Sequence, residues 1–570
     1  MKKVLSYYLK PYYRQMSFGF VIKFLATILE LFLPWILAYM IDHVIPTKEK
    51  NHIYIWGLIM LLCCIGAMLL NIKANQMASK VSRDTTRAIR HDLFSKIAYL
   101  SNEQTDHFTK PSLISRLTTD TYNVHQMLGR VQRMGVRAPI LIIGGMVLTL
   151  TLDPVLTLVL AAIMPFICYL TFHVSRKSVP LFTSLQEAVD IFVRMVREDA
   201  SGIRVIKALS KTKYEKERYD KINKEVVQRE KKASITMAIV SPSLNLMLNI
   251  GLVLVIIVGA YRVNLGLTQT GSILAFLSYF TIILNALMTV SRMFVEFSKA
   301  VASANRIMEI IDSPDDMVIE KCRRMDSDAY IRFEHVTFSY EKVEANLEDI
   351  DFSLKKGETL GIIGATGAGK STIAQLLMRF YDPDKGNIYI DGENIRSIPF
   401  DILRTKFGVV FQNDTLFEGS IAENIRLGRN ITDEQIMDAI TYAKAKEFVM
   451  EKGGFDNKVN IRGANLSGGQ KQRVLISRAL ASHPDILILD DSSSALDYKT
   501  DAELRKNLRT HFSDTTTVIV AQRISSILHA DHIMVLDDGK MMDYGTHEEL
   551  LGRCQIYREI SASQMGTEIA

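Results

Sequence analysis

"TLGIIGATGAGKST", residues 359–372, runs an aliphatic stretch into a glycine-rich turn and then into Lys-Ser-Thr. The letters satisfy GxxxxGK[ST] in full, with a strand pattern before and a helix start after, the context in which this pattern grips phosphates. Gly364, Gly367 and Gly369 let backbone N–H groups close on phosphate oxygens, and Ala365, Thr366, Ala368 and Thr372 complete the cradle. Lys370 reaches the β- and γ-phosphates, and Ser371 offers its hydroxyl to Mg²⁺. ATP with Mg²⁺ is therefore the expected cofactor.

Further along, "LILDDSSSALD" (487–497) places two carboxylates where an aliphatic run stops. Ile486 to Leu489 read as a buried parallel strand beside the phosphate loop, and Asp490 at its carboxyl end is positioned to hold Mg²⁺ and its waters. Asp491 is expected to face the γ-phosphate and to orient or polarise the attacking water. Between the two motifs, "NLSGGQKQRVLISRAL" (465–480) opens a helix with Ser467, Gly468, Gly469 and Gln470, a second end suited to an anion. From Tyr330 onward short β-type runs alternate with helical patterns, so 330–570 reads as an α/β domain, preceded by a polar linker at 313–329.

The first half has a different character. A chain of 570 residues exceeds one ordinary core, and 48% hydrophobic residues point to membrane-spanning segments sharing it with a water-soluble part. Apolar stretches near 16–45, 52–72, 134–153, 155–175, 236–263 and 271–297 each approach the roughly 20 residues that cross a bilayer as helix. Residues 1–312 thus read as an all-α domain of six spans. Two long polar stretches, about 73–133 and 176–235, are rich in Lys and Arg, which places them and both termini in the cytoplasm. Neither contains the Gly/Pro clusters of a loop, so the spans are expected to continue as helices past the membrane, with tips near 102–112 and 208–218 that reach a cytoplasmic domain.

Membrane loops account for the net charge of +6, so no nucleic-acid partner is needed. Cys63, Cys64, Cys168, Cys322 and Cys554 show no metal-ligand spacing and read as reduced packing residues. The N-terminal "MKKVLSYYLKPYYRQ" has no secretory-signal pattern, and its tyrosines beside Lys2, Lys3, Lys10 and Arg14 suit the membrane interface. Lys23, Glu30, Arg292 and Glu296 are ionisable within spans, either functional or, in the plainer reading, a snorkelling Lys23 and an Arg292–Glu296 pair. Met288 and Met293 read as core packing rather than cavity lining.

On these motifs the chain resembles the ATP-binding cassette exporters, as a half-transporter with its membrane domain N-terminal to its nucleotide-binding domain. "LISRLTTD" (113–120) and "RVIKAL" (204–209) are similar to that membrane domain, and Tyr340 in "VTFSYE" matches the adenine-stacking aromatic. Gln412 in "VVFQND" matches the glutamine loop, which also serves the metal; "LSGGQ" (466–470) matches the signature, and "SALD" (494–497) the loop carrying Asp497. The resemblance implies a head-to-tail dimer in which the phosphate loop of one subunit and the signature of the other clamp each ATP.

Two positions depart from the pattern. Asp491 stands where fully active members carry Glu, and Gln522 in "VIVAQRISS" stands where they carry His. Asn460 and Ile461 also replace the usual Gly and Glu before the signature. A shortened carboxylate and a neutral amide imply a site that binds ATP but hydrolyses it weakly. With the signature intact, the resemblance is to the degenerate-site subunit of bacterial heterodimeric multidrug exporters, whose partner half-transporter supplies the Glu and the His. The alternatives are a slow homodimeric exporter of lipid or peptide and a regulatory ATP-binding membrane subunit. Six spans exclude a soluble cassette ATPase acting on DNA, and with no peptidase domain before the first span a leader-peptide processing exporter is not expected. Small amphipathic compounds and membrane lipid suit the apolar spans, and the cytoplasmic (inner) membrane is the expected location.

Overall fold

The computed structural model describes residues 6–565 except 316, 341, 452, 493 and 494. Lys2, Lys3 and Ser494 fall outside the described residues, as do the side chains of Cys168 and Arg292. The chain divides into two units, Met1–Tyr99 with Lys110–Ser313, and Leu100–Thr109 with Pro314–Ala570.

The first unit is built of long helices: α1 (Tyr13–Tyr39), α2 (Lys50–Ala98), α4 (Thr121–Arg130), α5 (Val136–Leu152), α6 (Pro154–Ala208), α7 (Thr212–Ala238), α8 (Val240–Asn264) and α9 (Thr270–Ile311). Five stretches among the described residues are long and apolar enough to cross a membrane: Lys10–Thr47, Lys50–Ala98, Lys110–Leu152, Asn245–Asn264 and Thr270–Val290. The expected span near 155–175 falls at the start of α6, where the described residues include the apolar run Pro154–Ile167. The spans do continue as helix: α2 has 49 residues and α6 has 55, roughly 70 and 80 Å at 1.5 Å per residue. The far tip is a bare turn, α6 ending at Ala208 and α7 starting at Thr212.

Local chemistry sets the helix starts. Asp153 caps α6 by accepting from Val155 and Leu156 N–H, with Pro154 at the first helical position, and its other oxygen takes Arg262 at 2.8 Å. A core of Leu31, Leu141, Leu160, Tyr279, Phe280 and Ile283 joins α1, α5, α6 and α9. The buried Tyr279 hydroxyl within it donates to the Leu31 carbonyl at 2.6 Å. Met293 packs beside Gly135, where an added Cβ would lie 3.2 Å from its methyl group. Glu296 pairs with Arg130 of α4. Of the free cysteines described only Cys554 is buried, and Cys64 is exposed, so packing does not explain them as a group.

The second unit carries β1 (Ile331–Phe338), β2 (Leu347–Leu354), β3 (Thr359–Gly364), β4 (Lys385–Ile390), β5 (Glu393–Asn394), β6 (Phe407–Val410), a small β7–β8 pair (Gly419–Ser420, Lys458–Val459), β9 (Ile486–Asp490), β10 (Thr516–Val520), β11 (His532–Asp537) and β12 (Lys540–Gly545). Ten strands follow the order β5-β4-β1-β2-β12-β11-β3-β10-β9-β6. The β3, β6, β9, β10 and β11 portion is parallel, and β1, β2, β4 and β5 are antiparallel. Strand β9 is covered on both faces: Leu487 and Leu489 enter one hydrophobic core, Ile486 and Ile488 the other. It meets the phosphate loop through its carboxyl end, where Asp490 faces Ser371, while β10 pairs with both β3 and β9 and separates those two strands.

A short helix, α3 (Asn102–Phe108), belongs to this second unit. Ser101 caps it by accepting from the Gln104 N–H. Gln104 donates to the Pro314 carbonyl at 2.7 Å, Tyr381 donates to Asp106 at 2.7 Å, and Lys342 lies 3.5 Å from Glu103.

Candidate functional site

The phosphate loop connects β3 to α10 (Lys370–Leu377) through backbone that only glycine accepts without strain. Gly364 has φ +157 and a Cβ there would sit 2.0 Å from the Leu536 carbonyl oxygen; Gly369, with φ +91, caps α10 from the left-handed region. The result is a helix N-terminus aimed at a pocket of about 250 Å³, bounded by Tyr340, Gly367, Lys370, Ser371, Asp490 and Gln522 among others. Lys370 folds back across the loop, donating to the carbonyls of Gly364 (2.9 Å) and Ala365 (2.7 Å). Burial holds its ammonium below the ordinary lysine range.

Opposite, the parallel register carries Asp490 to the end of β9 beside Val520 of β10. Ser371 Oγ donates to Asp490 Oδ1 at 3.1 Å, so the two expected metal ligands already face each other. Burial raises the Asp490 carboxyl above its usual range, as it does for Asp491. A divalent cation would favour the ionised form of both, and this hard-oxygen pair fits Mg²⁺.

Asp491 leaves the strand with φ +48, a left-handed conformation uncommon for a residue with a side chain, while its N–H donates to the Val520 carbonyl at 2.9 Å. Two side-chain amides converge on its Oδ2: Gln522 Nε2 at 2.9 Å and Gln412 Nε2 at 3.5 Å, the latter at the edge of hydrogen-bond range. Asp491 and Gln522, two of the positions that depart from the family pattern, are therefore in direct contact.

Tyr340 stands at the pocket rim, its ring edge-to-face with Phe338 and Tyr381, its hydroxyl donating to Gln375 Oε1 (2.9 Å) and accepting from the Thr372 hydroxyl (3.2 Å). Sequence reasoning missed Asn346, which lines the pocket and accepts from the Tyr340 N–H at 3.0 Å. Nothing in its surroundings, "EANLED", distinguishes it from a loop asparagine.

The signature residues are not among those lining this pocket. Ser467 caps α11 (Gly468–Leu480) in a reciprocal box with Gln470: its Oγ accepts from the Gln470 N–H, and Gln470 Oε1 accepts from the Ser467 N–H. Asp497 is likewise absent from the lining and caps α12 (Tyr498–His511), accepting from Thr500 N–H and Oγ1, bonds that hold its carboxyl below the usual range. The chain alone thus brings together the phosphate loop, Tyr340, Gln412, Asp490, Asp491 and Gln522, and leaves the signature and Asp497 outside.

This site and the helical unit define an ATP-powered membrane machine. The ABC transporter transmembrane region model matches residues 16–287, and the ABC transporter model matches residues 347–494. YfiB of Bacillus subtilis, described as an uncharacterized ABC transporter ATP-binding protein, is 36% identical over 575 residues, all of this chain and 99% of that one. The fatty acid ABC transporter ATP-binding/permease protein of Mycobacterium bovis is 30% identical over 507 residues, 89% of this chain and 80% of that one. A bacterial Atm1-family ABC exporter solved with ATP bound shares the fold at a TM-score of 0.82 and 23% identity, over 98% of this chain and 99% of that one. The chain belongs to the ATP-binding cassette transporters. It carries membrane and ATP-binding regions in one polypeptide with the fold of an ABC exporter, and the ATP-binding domain hydrolyses ATP to drive transport.

Proposed function

We propose that this chain is one half of a heterodimeric exporter, in which its own phosphate loop forms the weakly hydrolytic site and its signature completes the competent site on a partner half-transporter. The Asp491–Gln522 contact at 2.9 Å carries this reading. Aspartate is one methylene shorter than glutamate, which withdraws the carboxylate by about 1 Å, and a misplacement of that size can cost about 10²-fold in rate. Gln522 adds no positive charge and no proton to shuttle, and its amide occupies an oxygen that an attacking water needs. The pocket would still bind: Lys370 and the α10 N-terminus hold the phosphates, Ser371 and Asp490 hold Mg²⁺ with Gln412 beside them, and Tyr340 stacks on adenine.

In the working cycle two ATPs would close the two cassettes, with Ser467, Gly468, Gly469 and Gln470 on one nucleotide and Asp497 at the dimer seam. The α3 tip and the 209–211 turn pass closure to the spans, and hydrolysis at the partner's site resets the pump. Residues 1–312 form the membrane domain and 330–570 the cassette, both termini facing the cytoplasm across the inner membrane. The cargo is an amphipathic or hydrophobic compound, in keeping with apolar spans and with a fatty-acid transporter among the relatives.

The test is ATPase activity of the purified chain alone, of the chain with the half-transporter encoded beside it, and of that pair with the partner's catalytic carboxylate neutralised. The expected order is negligible, full and negligible. A slow homodimer would instead show the same activity with and without a companion.

A further inference from the structure

Within the helical unit, charges gather where α1, α2 and α5 meet, and they do not cancel. Glu30 of α1 is bound by Arg137 of α5, whose Nε and Nη2 donate at 3.0 and 2.9 Å. Lys23, two turns earlier on α1, is only 4% exposed, yet its ammonium donates to neutral carbonyl oxygens alone, Asn71 Oδ1 at 2.7 Å and Asn75 Oδ1 at 3.3 Å. Asn71 passes the contact on, donating to Glu30 Oε1 at 2.8 Å. Among the described residues, the charges that act on Lys23 are Glu30, Arg133 and Arg137. Arg133 donates to the Ser79 hydroxyl at 3.3 Å, again a neutral partner. Counting Lys23, Arg133 and Arg137 against Glu30 gives three positive charges and one negative, an excess of two.

A buried ammonium held by amides alone is costly in or beside a membrane, and intramembrane charge that is not neutralised faces a bundle interior or a water-filled path rather than lipid. The Arg137 and Glu30 side chains stay 37% and 24% accessible, so the cluster opens on one side of this single chain. An excess of cations open on one side is what an anionic head group would complete, through charge-assisted hydrogen bonds to two guanidiniums and one ammonium.

We propose that this cluster, on the exporter reading above, binds the phosphate or carboxylate head of an anionic amphipath whose tail lies along the apolar spans. The cargo class narrows from amphipaths in general to acidic ones. The same chemistry is offered by a transported acid and by an anionic membrane lipid.

The test uses the full chain with its partner in nanodiscs of neutral phosphatidylcholine, with dodecyl phosphate, dodecanol and dodecyltrimethylammonium as probes. Dodecyl phosphate should bind at least about tenfold tighter than the other two, the factor given by one modest charge-assisted contact. Lys23→Gln and Arg133→Gln should each remove most of that preference and Lys23→Arg should keep it; the arginine variants guard against a Lys23→Gln protein that does not fold. Equal binding of all three probes, or a preference intact in both Gln variants, overturns the proposal. ATP-dependent movement of dodecyl phosphate into inside-out vesicles marks the site as a cargo site, whereas tight binding without movement, displaced by anionic lipid, marks a lipid head-group site; either sustains the anion site. Failure of every probe and of a neutral dye to move with ATP sinks the exporter reading while leaving the binding preference standing.

Discussion

At the scale of single residues, the proposed degenerate site turns on Asp491, whose Oδ2 is held by the Gln522 amide. Lys370→Ala removes the only ammonium among the residues bounding the pocket, and ATP affinity, read by equilibrium binding of a labelled analogue, should fall at least about tenfold, the worth of one charge-assisted contact. Asp491→Glu alone should restore little hydrolysis, because the longer carboxylate still meets the Gln522 amide, whereas Asp491→Glu with Gln522→His should raise ATPase by about 10²-fold, the misplacement penalty returned. Equal gains from the single and double variants would place the defect in carboxylate length alone. Burial raises the Asp491 carboxyl above its ordinary 3.8. A base works only when ionised, so residual hydrolysis should fall away on acidification at a pH above that value, and a pH–rate profile locates the limb. These residues were legible in sequence because phosphate chemistry demands fixed types at fixed spacing. The Gln522–Asp491 contact was not, since 30 residues separate the two and only the β9–β10 pairing brings them together.

At the scale of elements, the sequence marked the strands and helices by periodicity and caps, and missed what depends on order in space. The insertion of β10 between β3 and β9 follows from crossover connections that no local pattern encodes. The spans were legible because twenty apolar residues have few other uses, but the length of α6 was not separable into membrane and cytoplasmic parts. That α3 clusters with the ATP-binding unit rather than with its neighbouring helices rests on a few contacts, the Tyr381 hydroxyl on Asp106 chief among them. Burial and this carboxylate both push the Tyr381 phenol upward, so it donates throughout the working pH range. Tyr381→Phe keeps the ring against Tyr340 and loses only this bond. Nucleotide affinity should stay within about twofold while substrate-stimulated ATPase of the assembled transporter drops several-fold, on the order expected for a hydrogen bond to a charged group. An unchanged stimulation would count against the proposed role of α3 in passing closure to the spans.

At the scale of the whole molecule, ABC exporters work as dimers, and this chain's own arrangement says why it needs one. The signature at the start of α11 and Asp497 at the start of α12 lie outside the pocket that holds the phosphate loop, which agrees with the proposed dimer in which each ATP is clamped from two polypeptides. On the heterodimer proposed above, a gripping but slow pocket and an intact signature would be complemented by a partner with the opposite pair. The most direct measurement is the steady-state ATPase rate of this polypeptide purified in lipid without a companion, set beside that of the co-purified pair. The account predicts a rate near background alone and roughly 10²-fold more in the pair. A brisk rate from the solitary chain, unchanged on adding the partner, would contradict it.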